Sequence, residues 1–121
     1  MSGEPWPKED VPDADALFMR VHRQFVVGGQ LQPGAFRDQG GTMSTDWAKF
    51  STAHQTRQRA KNPSHNSVIS LVAGAIRKVP LGVEHSPDHE LDNRAHTDVI
   101  GTKTSEVRLK LTTRFRWEIQ A

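Results

Sequence analysis

One decade of the chain, residues 67–76, is more apolar than any other stretch and most constrains the fold. It reads Ser-Val-Ile-Ser-Leu-Val-Ala-Gly-Ala-Ile, with aliphatic side chains at consecutive positions. A short apolar run without strict alternation is typical of a strand that is buried on both faces. We therefore expect the central strand of a sheet here; a change to helix after Ala73 is an alternative that the sequence leaves open.

Other short apolar runs are bounded by glycine, proline or polar residues, as strands usually are. In one of them Met43 and Thr45 would share one face of the strand, with Ser44 and Asp46 on the other. Turns are expected at Gly28-Gly29, Pro33-Gly34 and Gln39-Gly40-Gly41. The expected strands cover residues 16–27, 42–47, 81–85 and 95–100.

A helix is predicted after the second of these runs. Ser51 or Thr52 can cap it, because a side-chain oxygen there accepts an otherwise unpaired amide proton. It would extend to about Lys61, since the residue before Pro63 is disfavoured in helical conformation.

The C-terminal segment fits two structures. Val107, Leu111 and Phe115 recur at helical spacing, while apolar and charged residues alternate from Val107 to Ile119 as in a strand. Thr104 can cap a helix. We favour a helix over residues 105–113 and a last strand over 115–119.

These elements indicate an α+β protein with a single small domain. We expect about five short strands in one mixed or antiparallel sheet with two helices. The 121 residues suffice for one core. Residues 1–12 hold three prolines and no periodicity, so we expect a disordered or loosely docked arm, which Trp6 anchors to the domain at residues 13–121.

Charge is distributed unevenly along the chain. Residues 1–15 carry five acids and one base, a net of −4, so the remaining 15 bases and nine acids give +6. A basic surface attracts polyanions. The candidate nucleic-acid contacts are Arg57, Arg59, Arg108, Lys110, Arg114 and Arg116.

Three histidines lie at the ends of expected strands and are the candidates for chemistry. His22, His85 and His96 can exchange protons near neutral pH, and Asp46 or Asp98 can fix an imidazole tautomer. If the strand ends meet, the three imidazoles converge on one pocket. A structural role for each histidine is the alternative. The candidate ligand-binding residues are Arg20, Arg94, Asn93 and Ser44.

Several classes of site are not expected. The chain has no cysteine, so disulfides and thiolate chemistry are excluded. The spacing of His85 and His96 matches no usual zinc motif, no glycine-rich phosphate loop is present, and no cofactor is predicted. No run of about 18 apolar residues or secretion signal occurs, which favours a cytoplasmic protein without membrane contact.

Short motifs across residues 16–119 resemble a loose group of short bacterial proteins. The resemblance implies one intact small domain and brings no activity, substrate or catalytic residue with it. The matching motifs are Arg20-x-His22, Ala35-Phe36, Ser44-x-Asp46, Leu81-x-Val83-x-His85-x-Pro87 and Asn93-x-Ala95-His96.

The sequence leads to one favoured function and two alternatives. We expect a protein that binds a phosphorylated ligand or another macromolecule through a His/Arg pocket and a basic face. One alternative is an enzyme that processes phosphodiesters or nucleotides with its histidines. The other is a non-catalytic interaction protein, such as an antitoxin or immunity protein. Self-association is compatible with each, and whether the protein is an enzyme stays open.

Overall fold

The computed structural model describes residues 6–38 and 41–121, in which six antiparallel strands form the main sheet. Their spatial order is β6-β7-β4-β1-β5-β8, and β2 and β3 form a separate hairpin. The strands are β1 Ala16–His22, β2 Val26–Val27, β3 Gln30–Leu31, β4 Met43–Trp47, β5 Asn66–Val72, β6 Gly82–His85, β7 His96–Ile100 and β8 Phe115–Ile119. The α-helices are α1 Ala53–Gln58, α2 Ala73–Lys78 and α3 Ser105–Leu111.

The apolar decade forms β5 and then α2, so the open alternative of a change to helix at Ala73 is the one that the structure has. Residues 67–71 are all buried, because the strand is covered on both faces. It is not at the centre of the sheet, however. It lies between β1 and the edge strand β8.

The apolar core lies on one face of the sheet, which we call the core face. Leu17, Met19 and Val21 of β1 point to it, as do the side chains cross-paired with them. Helices α2 and α3 cover this face through Ile76 and Leu111, both of which are fully buried.

The opposite face, which we call the polar face, carries α1. Thr52 begins this helix with a capping box, in which its side chain accepts from the Gln55 amide and the Gln55 side chain accepts from the Thr52 amide. The hydroxyl of Thr56 then bonds to Asp46 on β4, which fixes α1 over the sheet. Helix α1 ends at Gln58, earlier than the predicted Lys61.

The coarse α+β prediction is confirmed, with more elements than expected. The sheet has six strands, and the described residues contain three α-helices where two were predicted. The run 16–27 is not one strand, because a single 3-10 turn at Arg23–Phe25 separates β1 from β2. The C-terminal segment is a helix followed by a strand, as favoured above.

The N-terminal arm is docked along its described part. Trp6 stacks on His89 with ring centroids 4.4 Å apart, the Glu9 amide donates to His85 Nδ1, and Val11 is buried. Residues 1–5 of the arm and the expected turn at Gln39-Gly40 lie outside the described residues. The longest helix in the described ranges has seven residues, too few to cross a bilayer.

Candidate functional site

The main sheet is split between β1 and β4. Strand β1 pairs with β5 along all seven of its residues, but the described ladder with β4 has only the pairs Leu17–Trp47 and Phe18–Asp46. Beyond Phe18 the two strands are no longer paired, and a cavity of about 590 Å³ opens beside them. This volume is within the range of small-molecule sites. We call this cavity the cleft.

Side chains from both faces of the sheet line the cleft, which shows that the cleft extends into the gap between β1 and β4. Met19, Val21 and Met43 come from the core face, and Phe25 and Ala35 add further apolar surface. The polar face contributes charged and polar groups. These are Arg20, His22, Ser44, Asp46 and His96 from the strands, with Thr56, Arg59, Asn66 and Asn93 beside them.

Backbone groups also face the cleft. Bonds from the Ala48 amide to the Ala16 carbonyl and from the Trp47 amide to the Ala95 carbonyl fix the alternation along β1 and β4. By this alternation the amide and carbonyl groups of Arg20 and Ser44 point into the split. Because these two residues are not a ladder pair, their groups are directed at the cleft.

Asp46 is the hub of a buried network at the closed end of the cleft. It is 4% exposed and accepts hydrogen bonds from Thr56 Oγ1 at 2.8 Å, Arg59 Nη1 at 2.7 Å and Asn93 Nδ2 at 2.8 Å. Both carboxylate oxygens are therefore engaged. The network joins β4 to α1 and to the loop before β7.

The charge around the cleft is positive. The lining residues include three arginines (Arg20, Arg37, Arg59) and two aspartates (Asp46, Asp88), a net of +1 before the histidines are counted. The Asp46 charge is already paired with Arg59.

Arg20 is the arginine that β1 itself supplies to the cleft. Its Nη1 donates to the Thr56 carbonyl at 3.0 Å, and a guanidinium has further donors for a ligand. Although Arg20 is exposed along much of its length, partial burial of its guanidinium lowers its pKa, and the Asp46 carboxylate opposes that shift. An arginine nevertheless remains charged at neutral pH.

His96 and Ser44 contact each other in the wall of the cleft. His96 Nε2 is 3.2 Å from Ser44 Oγ, and His96 Nδ1 is 2.9 Å from the Ser86 carbonyl oxygen. Behind the imidazole, Ser86 Oγ lies 3.1 Å from Nδ1 and donates to Asp98 Oδ2 at 2.7 Å.

His22 and His85 lie in different places. His22 lines the cleft, where its Nδ1 accepts from the Gln24 amide at 3.1 Å. His85 points to the core face, is 1% exposed and stacks on Phe50. Its Nδ1 accepts from Glu9 and its Nε2 donates to the Arg94 carbonyl at 2.7 Å, so both nitrogens are used. Two of the three imidazoles thus share the cleft, and His85 does not.

Three of the four predicted ligand-binding residues lie in the cleft, and one lies outside it. Ser44, Asn93 and Arg20 line the cleft. Arg94 instead lies over the Phe50 ring at 4.2 Å and 3.7 Å from Glu9, beside the docked arm.

The six basic residues predicted to contact nucleic acid lie on three parts of the fold. Arg57 is on α1 and Arg59 directly follows this helix, both over the polar face, and Arg57 Nε donates to the carbonyls of Pro63 and Asn66. Arg108 and Lys110 are on α3, which packs on the core face. Arg114 precedes the edge strand β8 and Arg116 lies within it.

Thr56, Arg37 and the apolar lining were not predicted to belong to a site, and Arg59 was predicted to contact nucleic acid. The i, i+3 spacing of Thr56 and Arg59 puts both on one side of a helix, which was the available signal.

No family model, curated protein or solved structure matches this chain. Within residues 6–38 and 41–121, no three His, Asp or Glu side chains are grouped so as to hold a metal ion. The geometry of the cleft is therefore the basis for a functional proposal.

Proposed function

We propose that the cleft binds a small phosphorylated ligand. The observation that carries the proposal is a cavity of about 590 Å³ with Arg20 and Arg37 in its lining, in which the buried Asp46 carboxylate is already paired with Arg59. Arginine is suited to phosphate because its planar donors match the phosphate oxygens.

The two sides of the cleft suggest the shape of the ligand. Met19, Val21, Met43 and Phe25 offer apolar surface on the inner side, while Arg20 belongs to the polar face. A phosphate group would lie near the arginines, and an apolar or aromatic part would enter the split between the strands. Adenosine monophosphate has both parts and is a suitable probe.

The test is an amide NMR titration with adenosine monophosphate and with inorganic phosphate at constant ionic strength. We expect shifts at Arg20, Ser44 and Asn93, and about tenfold weaker binding in Arg20→Ala, because a charge-assisted hydrogen bond contributes about 1.5 kcal/mol or more. Arg116→Ala is the matched control, since Arg116 lies on β8 outside the cleft lining. Equal weakening in both variants, or shifts confined to α3 and β8, would refute the proposal.

Nucleic acid is the less favoured ligand. Its backbone would need a continuous basic track, whereas the candidate residues lie on α1, on α3 and at β8. If a single-stranded oligonucleotide shifts amides of all three elements and adenosine monophosphate shifts none, this second function replaces the first.

A further inference from the structure

A directed chain of hydrogen bonds leads from the cleft to Asp98. A carbonyl oxygen can only accept, so the 2.9 Å contact with Ser86 places the proton of neutral His96 on Nδ1. Ser86 Oγ donates to Asp98 Oδ2 and turns a lone pair toward the same Nδ1–H. His96 Nε2 is then unprotonated, and the hydroxyl of Ser44 is the donor in the 3.2 Å contact.

The strand register produces this arrangement. Ser44 pairs with Asp98 and Asp46 pairs with His96, so Ser44 and His96 are diagonal neighbours on the polar face. Ser44 is exposed and His96 is 22% exposed in its side chain. Both line the cleft, whereas the groups that orient the imidazole lie behind it.

We propose that Ser44 is a nucleophile and His96 is its general base, and that they hydrolyse a carboxylic ester held in the cleft. A hydroxyl within hydrogen-bond reach of an imidazole, whose other nitrogen is fixed by a third group, is the arrangement that activates a serine. The inference rests on the proposed function in one respect, since the same cleft must hold the substrate.

The backbone of the split sheet supplies the complementary group. By the alternation along β4 the Ser44 amide points toward β1, and because the β1–β4 ladder stops at Phe18–Asp46 this amide faces the gap. When Ser44 Oγ attacks a carbonyl carbon, negative charge develops on the carbonyl oxygen. Amide donors fixed beside the nucleophile stabilise that oxyanion.

The steps balance in protons and bonds. Ser44 Oγ forms a bond to the ester carbonyl carbon while its proton passes to His96 Nε2. The bond from carbon to the leaving oxygen then breaks, and His96 returns the proton to the departing alcohol. Water attacks the acyl-serine through the same base, which releases the carboxylic acid and restores Ser44. Asp98 Oδ1, 3.8 Å from Nε2, stabilises the transient imidazolium.

The test is covalent labelling of the full chain with a fluorophosphonate, followed by mass spectrometry, together with hydrolysis of p-nitrophenyl butyrate. We expect one adduct on Ser44, none in Ser44→Ala, and labelling about 100-fold slower in His96→Ala, the low end of general-base contributions.

Two matched controls distinguish the Ser44–His96 pair, which we call the dyad, from other reactive serines and histidines on the surface. His54→Ala removes an exposed histidine of α1 and Ser64→Ala an exposed serine, and neither should change labelling. Should His96→Ala unfold, His96→Asn keeps a donor for the Ser86 carbonyl without a basic nitrogen. No adduct on Ser44, or equal rates with and without the imidazole, would overturn the proposal.

The outcome is distinguishable from that of the phosphate titration. Labelling of Ser44 without any shift from adenosine monophosphate would retain the dyad and reject the phosphorylated ligand. Shifts at Arg20 without labelling would leave a binding cleft and reject the nucleophile.

Discussion

Replacing Asp46 by alanine should cost more stability than any other single loss of a carboxylate described above. The side chain is 4% exposed and accepts three hydrogen bonds of 2.7–2.8 Å. Each hydrogen bond to a charged group contributes about 1.5 kcal/mol or more, and breaking a buried ion pair costs about 3–5 kcal/mol. We therefore expect a loss of about 4 kcal/mol, a large part of the roughly 5–15 kcal/mol of a typical domain.

The measurement is urea unfolding followed by tryptophan fluorescence. With a slope of about 2 kcal/mol/M, the Asp46→Ala midpoint should fall by about 2 M. Asp13→Ala is the control, because Asp13 pairs with Arg77 at 2.6 Å but its side chain is 77% exposed. An exposed pair contributes only about 0–1 kcal/mol. If the two variants lose the same stability, burial of the Asp46 network is not what stabilises this end of the cleft.

Two further predictions concern the arm and a turn. The hydrogen bond from Lys49 is the main cause that lowers the pKa of Glu9 in the folded state. The stabilisation by Glu9 is therefore complete above the unfolded-state pKa and disappears as pH falls through the lower folded-state pKa. The urea midpoints of Glu9→Gln and of the unaltered chain should converge at acid pH, and a difference that stays constant with pH would contradict this. Gly101 has φ +125° and an added Cβ would lie 2.9 Å from Leu81 Cδ2, so Gly101→Ala should lower stability by about 1–3 kcal/mol in thermal unfolding, against no change for Thr102→Ala.

Alternation along the strands was enough to predict which face of the sheet His85 and His96 occupy, although convergence of all three imidazoles on one pocket was expected. Val83 and His85 alternate with Gly82 and Glu84, so His85 shares the face of an apolar residue. His96 instead shares its face with Asp98. The period of two therefore predicts one buried and one polar imidazole, and the structure has this arrangement.

The cleft, by contrast, has no local signature in the sequence. It depends on β1 and β4 pairing at two positions and then separating, and these strands are more than 20 residues apart in the chain. Propensity and periodicity indicate where strands lie, but the length of a ladder between distant strands is set by tertiary packing. The same limit hid the role of Thr56, since its partner Asp46 is on another element.

The Asp46 network lies at the point where β1 and β4 separate, and it determines where the split begins. Where β1 and β4 separate, backbone amides and carbonyls lose their ladder partners, which is unfavourable unless water or a ligand bonds to them. Asp46 belongs to the last ladder pair, and its bonds to Thr56, Arg59 and Asn93 hold α1 and the loop before β7 at that point. These bonds keep the ladder from opening further. If the proposal holds, a ligand with anionic or carbonyl oxygens would meet backbone donors that the fold already fixes in place, which lowers the cost of binding.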